Sequence, residues 1–147
     1  MQFTNFLPIF AIATAAISAP TPQQGTENPG LKPFDVWNLN RNTTETADGK
    51  KIDTHFYIKD NNSGLLTVCD ADDVAPMQPY PCNGLPQFIF DEDFSKLGIM
   101  WVWPEGETKY TGGNGTADLT WTCLPTDPDG LQQCITEMMS VPVEIAN

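Results

Sequence analysis

The run KIDTHFYIK at 51–59 puts Ile52, Thr54, Phe56 and Ile58 on one side and Asp53, His55, Tyr57 and Lys59 on the other. Strict alternation is the pattern of a strand with one face on a core; a helix repeats about every 3.6 residues and cannot hold it. FDVWNLN alternates less cleanly, with Phe34, Val36 and Asn38 opposed to Asp35, Trp37 and Leu39 and an aromatic on each face. GLLTVC, PQFIFDEDF, KLGIMWVWP, TKYTG, TADLTWTC and CITEMMSVPVEI continue as short runs rich in β-branched and aromatic residues. Between them lie KDNNSG, DEDFSK, TGGNGT and TDPDG, whose Gly, Asn, Asp and Pro residues form turns. No window sustains a helical period and no repeat is visible. The fold class is all-β, a single-domain antiparallel barrel or sandwich spanning 34–147.

The first 18 residues, MQFTNFLPIFAIATAAIS, are almost wholly apolar from Phe6 to Ile17 and end in small residues. That run is too short to span a bilayer and fits the apolar core of a secretory signal, with cleavage expected before Ala19. Residues 19–33 carry four prolines and two glycines and read as a flexible tail. The expected mature chain of about 129 residues is long enough for one real core. Every charged residue lies in it, so it keeps the full net charge of −12.

That charge excludes two classes of partner. Seven basic against nineteen acidic residues cannot neutralise a phosphate backbone, nor favour an anionic membrane. An acidic surface instead steers encounter with basic proteins or polycationic polysaccharides.

Export decides how the cysteines are read. Cys69, Cys82, Cys123 and Cys134 form two disulfides, for which three connectivities exist; the reading taken is the sequence-local one, Cys69–Cys82 and Cys123–Cys134. No thiol is then left as a nucleophile. With one histidine and no CxxC, neither a metal nor a cofactor site is expected.

Between the first two cysteines, TVCDADDVAPMQPYPC places Asp70, Asp72 and Asp73 beside three prolines. The aspartates lack the spacing and oxygen count of a calcium loop. They read as a stapled, proline-stiffened acidic loop suited to display. His55, on the polar face of its strand, has no Ser or Cys partner, and no paired carboxylates signal a glycosidase cleft. No catalytic residue is therefore assigned. In KLGIMWVWP, Leu97, Ile99, Trp101 and Trp103 share a face while Met100 and Val102 make the other apolar too. A strand buried on both sides, or a barrel strand whose outer face is covered by a loop, is the preferred reading; the alternative makes Trp101 and Trp103 an exposed patch for a protein or sugar. Sequons at Asn42, Asn61 and Asn114 fall in predicted turns and are candidate glycosylation sites.

The order of these landmarks resembles the Alternaria major allergen-like family of secreted fungal proteins. A Val-Trp strand in FDVWNLN opens the domain, GLLTVC enters a disulfide loop closing at YPC, and QFIFDEDF and LGIMWVWP follow. GTADLTWTC then leads into a second short loop and a final strand. The resemblance covers about 34–146. It implies a compact β-barrel with the two local disulfides and a role outside the fungal cell as allergen, elicitor or effector. It carries over no catalytic residue. Some members have an extra cysteine near the mature amino terminus that links two subunits; the tail here has none, so no covalent dimer is expected.

The leading expectation is a secreted, non-enzymatic effector or elicitor that binds a host extracellular protein or cell-wall component. A carbohydrate-binding module built on Trp101 and Trp103 is the first alternative. A small hydrolase using Asp or Glu is the second.

Overall fold

A computed structural model describes residues 30–146. The expected signal segment and most of the expected tail lie outside them. The tail's last residues are tied to the domain. Leu31 packs against the core, and the Asn62 side chain bonds the backbone of Lys32 at both its N–H (2.7 Å) and its carbonyl (2.9 Å).

The domain is all-β, as the alternation requires. Its strands are β1 (Phe34–Thr46), β2 (Gly49–Asp60), β3 (Leu66–Ala71), β4 (Tyr80–Pro81), β5 (Gln87–Phe90) and β6 (Lys96–Pro104). β7 (Tyr110–Asp118), β8 (Thr122–Cys123), β9 (Leu131–Ile135), β10 (Met139–Val141) and β11 (Glu144–Ile145) follow. They form two antiparallel sheets. The first runs β3-β2-β1-β9-β8, with β10 also paired to β1; the second runs β11-β7-β6-β5-β4.

Alternation decides which side chains meet between the sheets. Phe34, Val36, Phe56 and Ile58 face Phe88, Phe90, Leu97, Ile99 and Trp101, all at most 3% exposed. Rings pack across the gap: Phe56 meets Phe88 edge-on with centroids 5.0 Å apart, and Phe34 stacks on Trp101 at 5.6 Å. Each buried Phe contributes roughly 1.5–3 kcal/mol of transfer free energy.

Three expectations need correction. The alternation of β1 breaks at a bulge, where Asn38 and Leu39 together oppose Phe56 between the pairs Trp37↔Tyr57 and Asn40↔His55. Asn38 takes a φ of 54°, which Asn tolerates, and the extra residue turns Leu39 into the core. Leu39 therefore shares a face with Phe34 and Val36, and Asn38 does not.

Second, TGGNGT is strand β7 rather than a turn. A Cβ on Gly113 would run into the Trp103 ring and Val143, and one on Gly115 into the Pro142 carbonyl and Val141. Glycine stands there to admit a tryptophan and a crossing chain, not to bend the backbone. Asn114 accordingly lies in a strand, as does Asn42 in β1; of the three sequons only Asn61 sits in a turn.

Third, Trp101 and Trp103 point inward. Trp101 is 3% exposed, and Trp103 is half-buried with its indole N–H donated to Asp60. They do not make an exposed patch. Nor is β6 buried on both sides, because Met100 and Val102 on its other face are 47% and 37% exposed.

The disulfides are those expected, Cys69–Cys82 and Cys123–Cys134. Their places in the fold differ. Cys69 lies in β3, the edge of the first sheet, and Cys82 directly follows β4, the edge of the second, so this bridge joins the sheets. Cys123 and Cys134 are paired neighbours within the β8–β9 hairpin.

Candidate functional site

The outer face of the first sheet brings together residues that the sequence had kept apart. Pairing of β1 with β2 sets Trp37 beside Tyr57, and their rings stack at 5.9 Å with planes 14° apart. Edge-on to Tyr57, at 5.2 Å, stands His55. Next to them is an open hollow lined by Asn38, Asn40, His55, Tyr57, Ile135 and Thr136. The β1 bulge shapes it, since the inserted residue re-aims Asn38 and Asn40 outward. Asn40 donates its side-chain amide to the Asn38 carbonyl at 3.3 Å, fixing the loop of the bulge. Ile135 adds an apolar wall and is largely exposed.

The acidic loop forms one rim of this face. Asp70 is the β3 partner of His55, with Oδ1 3.8 Å from the imidazole Nδ1. Asp73 donates its backbone N–H to Asp53 Oδ1 at 2.9 Å and holds a φ of 52°. The buried Val74 anchors the next step, its N–H donated to the Ile52 carbonyl at 2.6 Å. Ala75 N–H donates to the Tyr80 hydroxyl, and Met77 N–H to the Phe90 carbonyl. The loop therefore owes its shape to bonds with β2 and β5 as well as to its disulfide and prolines, more than its sequence implied. Asp70, Asp72 and Asp73 remain exposed.

One cation answers this group. Lys51 contacts Asp53 at 3.1–3.2 Å, and its pKa is raised above the ordinary lysine value by that hydrogen bond first and by the fields of Asp53, Asp72 and Asp73. Three carboxylates around one ammonium leave the rim net negative. No group of His, Cys, Asp and Glu with metal-site geometry occurs among the described residues.

Sequence reasoning placed His55 and the three aspartates on the surface but missed Asn38, Asn40, Ile135 and Thr136. No local pattern marks them; the bulge and the β1–β9 pairing assemble them. Trp37 was legible only as lying on the face opposite Phe34; its outward position and its stack with Tyr57 follow once the register is known.

The class of protein is thus a disulfide-stapled, two-sheet β-domain with a displayed acidic-aromatic face. Among solved structures it shares the fold of Alt a 1, the major allergen of Alternaria alternata. One crystal structure of that allergen matches over 77% of this chain and 93% of its own at 18% identity, TM-score 0.56. A second matches over 87% and 95% at 19% identity, also with TM-score 0.56. The chain has an Alt a 1-like fold. No protein-family model matches the sequence, and no curated protein matches it.

Proposed function

We propose that this chain is a secreted, non-enzymatic protein of effector or elicitor type that binds a basic extracellular host partner through the outer face of its first sheet. The observation that carries this reading is that Asp70, near the end of β3, is paired with His55 of the His55–Tyr57–Trp37 row, with Asp72 and Asp73 following it along the same rim. Charge speeds and orients the encounter, while a stacked aromatic pair beside an apolar wall supplies contact area. Two disulfides, the apolar amino-terminal run and the allergen-like fold support an extracellular setting. The carbohydrate-module reading loses the residues that carried it, because Trp101 and Trp103 are turned inward. The hydrolase reading has only Asp118 and Glu137, which line one open hollow together, and no acid, base or nucleophile role is assigned to either.

The test is capture from host extracellular fluid by the mature protein, followed by kinetics on the captured species. Asp70→Asn/Asp72→Asn/Asp73→Asn is expected to slow association and weaken its salt dependence with little change in melting temperature. Tyr57→Ala is expected to raise the dissociation rate instead. If neither variant alters binding, the face is not the site.

A further inference from the structure

The three sequons have distinct environments in the folded chain, and these differ in how readily they accommodate a glycan. At Asn61 the side-chain amide is already spent: Nδ2 donates to the Pro33 carbonyl at 2.9 Å and to Asp35 Oδ2 at 2.8 Å. Its sequon serine is spent as well, with Ser63 Oγ donating to the buried Asp60 carboxylate at 2.5 Å. A glycosidic bond on Nδ2 would remove one of those N–H groups and push sugar against β1. Asn42 is half-buried in the central strand of the first sheet, between Asp53 on β2 and Gln133 on β9.

Asn114 differs on each count. It lies exposed on the outer face of the second sheet, and Thr116, two residues on, is exposed on the same face. Beside it opens a hollow lined by Asn114, Gly115, Thr116, Pro142 and Glu144. Directly across β6 from Asn114 is the exposed Met100, with Val102 on the diagonal. Val102 is paired with Gly112, which has no side chain to cover it. This is an apolar strip with a sequon at its margin, on a face that the binding surface of the first sheet does not use.

We propose that Asn114 is an N-glycosylation site, and that the attached sugar lies over Met100 and Val102 and shields them from solvent. A pyranose offers one face of C–H groups that matches the methionine and valine side chains, and its hydroxyls face water. The outer face of the first sheet stays bare while Met100 and Val102 on the second are covered. Apolar patches on soluble proteins are otherwise sites of association.

The proposal rests on the extracellular reading above, and the experiment separates the two. The full chain is expressed in a filamentous fungus, and the medium is analysed by glycopeptide mapping. The expected result is secretion with a glycan on the peptide containing Asn114 and none on that containing Asn61. Asn114→Gln and Thr116→Ala should each lower the intact mass by that glycan, whereas Thr116→Ser should retain it. Enzymatic removal of the glycan from folded protein should lengthen retention on a hydrophobic column, and Met100→Ser/Val102→Ser should abolish that shift. Secretion with Asn114 unmodified overturns this proposal and leaves the extracellular reading intact. Retention in the cell with no glycan overturns both. A glycan whose removal leaves retention unchanged overturns the shielding role.

Discussion

Asp60 shows how much a single residue can hold in this fold. It ends β2, is fully buried, and accepts from Asn62 N–H and Nδ2 at 2.9 Å, from Ser63 Oγ at 2.5 Å and from the Trp103 indole N–H across the sheet gap. Burial on its own raises a carboxyl pKa. Here the donors from Ser63, Trp103 and Asn62 outweigh it, and the net shift is downward. A lowered folded pKa contributes stability that is present above the unfolded value of about 3.9 and lost as pH falls through the folded value. Asp60→Asn replaces one of the two accepting oxygens by an NH2 that can only donate, and is expected to lower stability by about 2–4 kcal/mol at neutral pH. Urea titrations at stepped pH check this: the wild type should lose stability on acidification and the variant should lose less. A variant with an unchanged acid limb would show that Asp60 does not set it. Trp103→Phe, which keeps an aromatic side chain but removes the indole donor, should cost less than Asp60→Asn.

At the scale of strands, the sequence was most readable where the pattern was purely periodic. β2 has the faces its alternation specifies, and Leu97, Ile99 and Trp101 of β6 all turn inward. Reading failed where a residue's usual meaning was overridden by tertiary contact. The glycines of β7 have turn chemistry locally, yet Gly113 and Gly115 are fixed by Trp103 and by the chain from Val141 to Val143, which local sequence cannot reveal. The β1 bulge was equally hidden, because Asn38 gives no sign that an extra residue intervenes, and the candidate hollow went unread with it. Gly113→Ala should therefore destabilise by about 1–3 kcal/mol through overpacking. Gly112→Ala, whose Cβ would meet only the Ala146 methyl at 3.4 Å, should be nearly neutral. Thermal melts of the pair check this, and equal effects would mean that backbone freedom rather than the Trp103 contact selects glycine in β7.

For the whole molecule, the two bridges offer a comparison in which loop entropy is almost constant. They close spans of 13 and 11 residues, so the chain-entropy view assigns each about 3 kcal/mol. Topology separates them. Cys123–Cys134 reinforces a hairpin whose strands already pair, and Arg41 stacks over Trp121 beside it at 4.7 Å. Cys69–Cys82 instead spans the seam where the edge of one sheet meets the edge of the other. Around it the seam has the Asn83 N–H donated to the Val68 carbonyl at 2.8 Å and the Thr67 hydroxyl donated to the Asn83 carbonyl. Both Cys69 and Cys82 are buried, so their loss also exposes the core between Phe56 and Phe88. Cys69→Ala/Cys82→Ala should accordingly lose more stability than Cys123→Ala/Cys134→Ala, and should also loosen the acidic loop that the bridge closes. Urea midpoints and hydrogen exchange at residues 70–80 measure the two effects. Equal midpoints with unchanged exchange would mean that the bridges act only on the unfolded chain. A larger loss for the first pair, with exchange rising in the loop, would mean that one disulfide holds the sheets together and the binding rim in place.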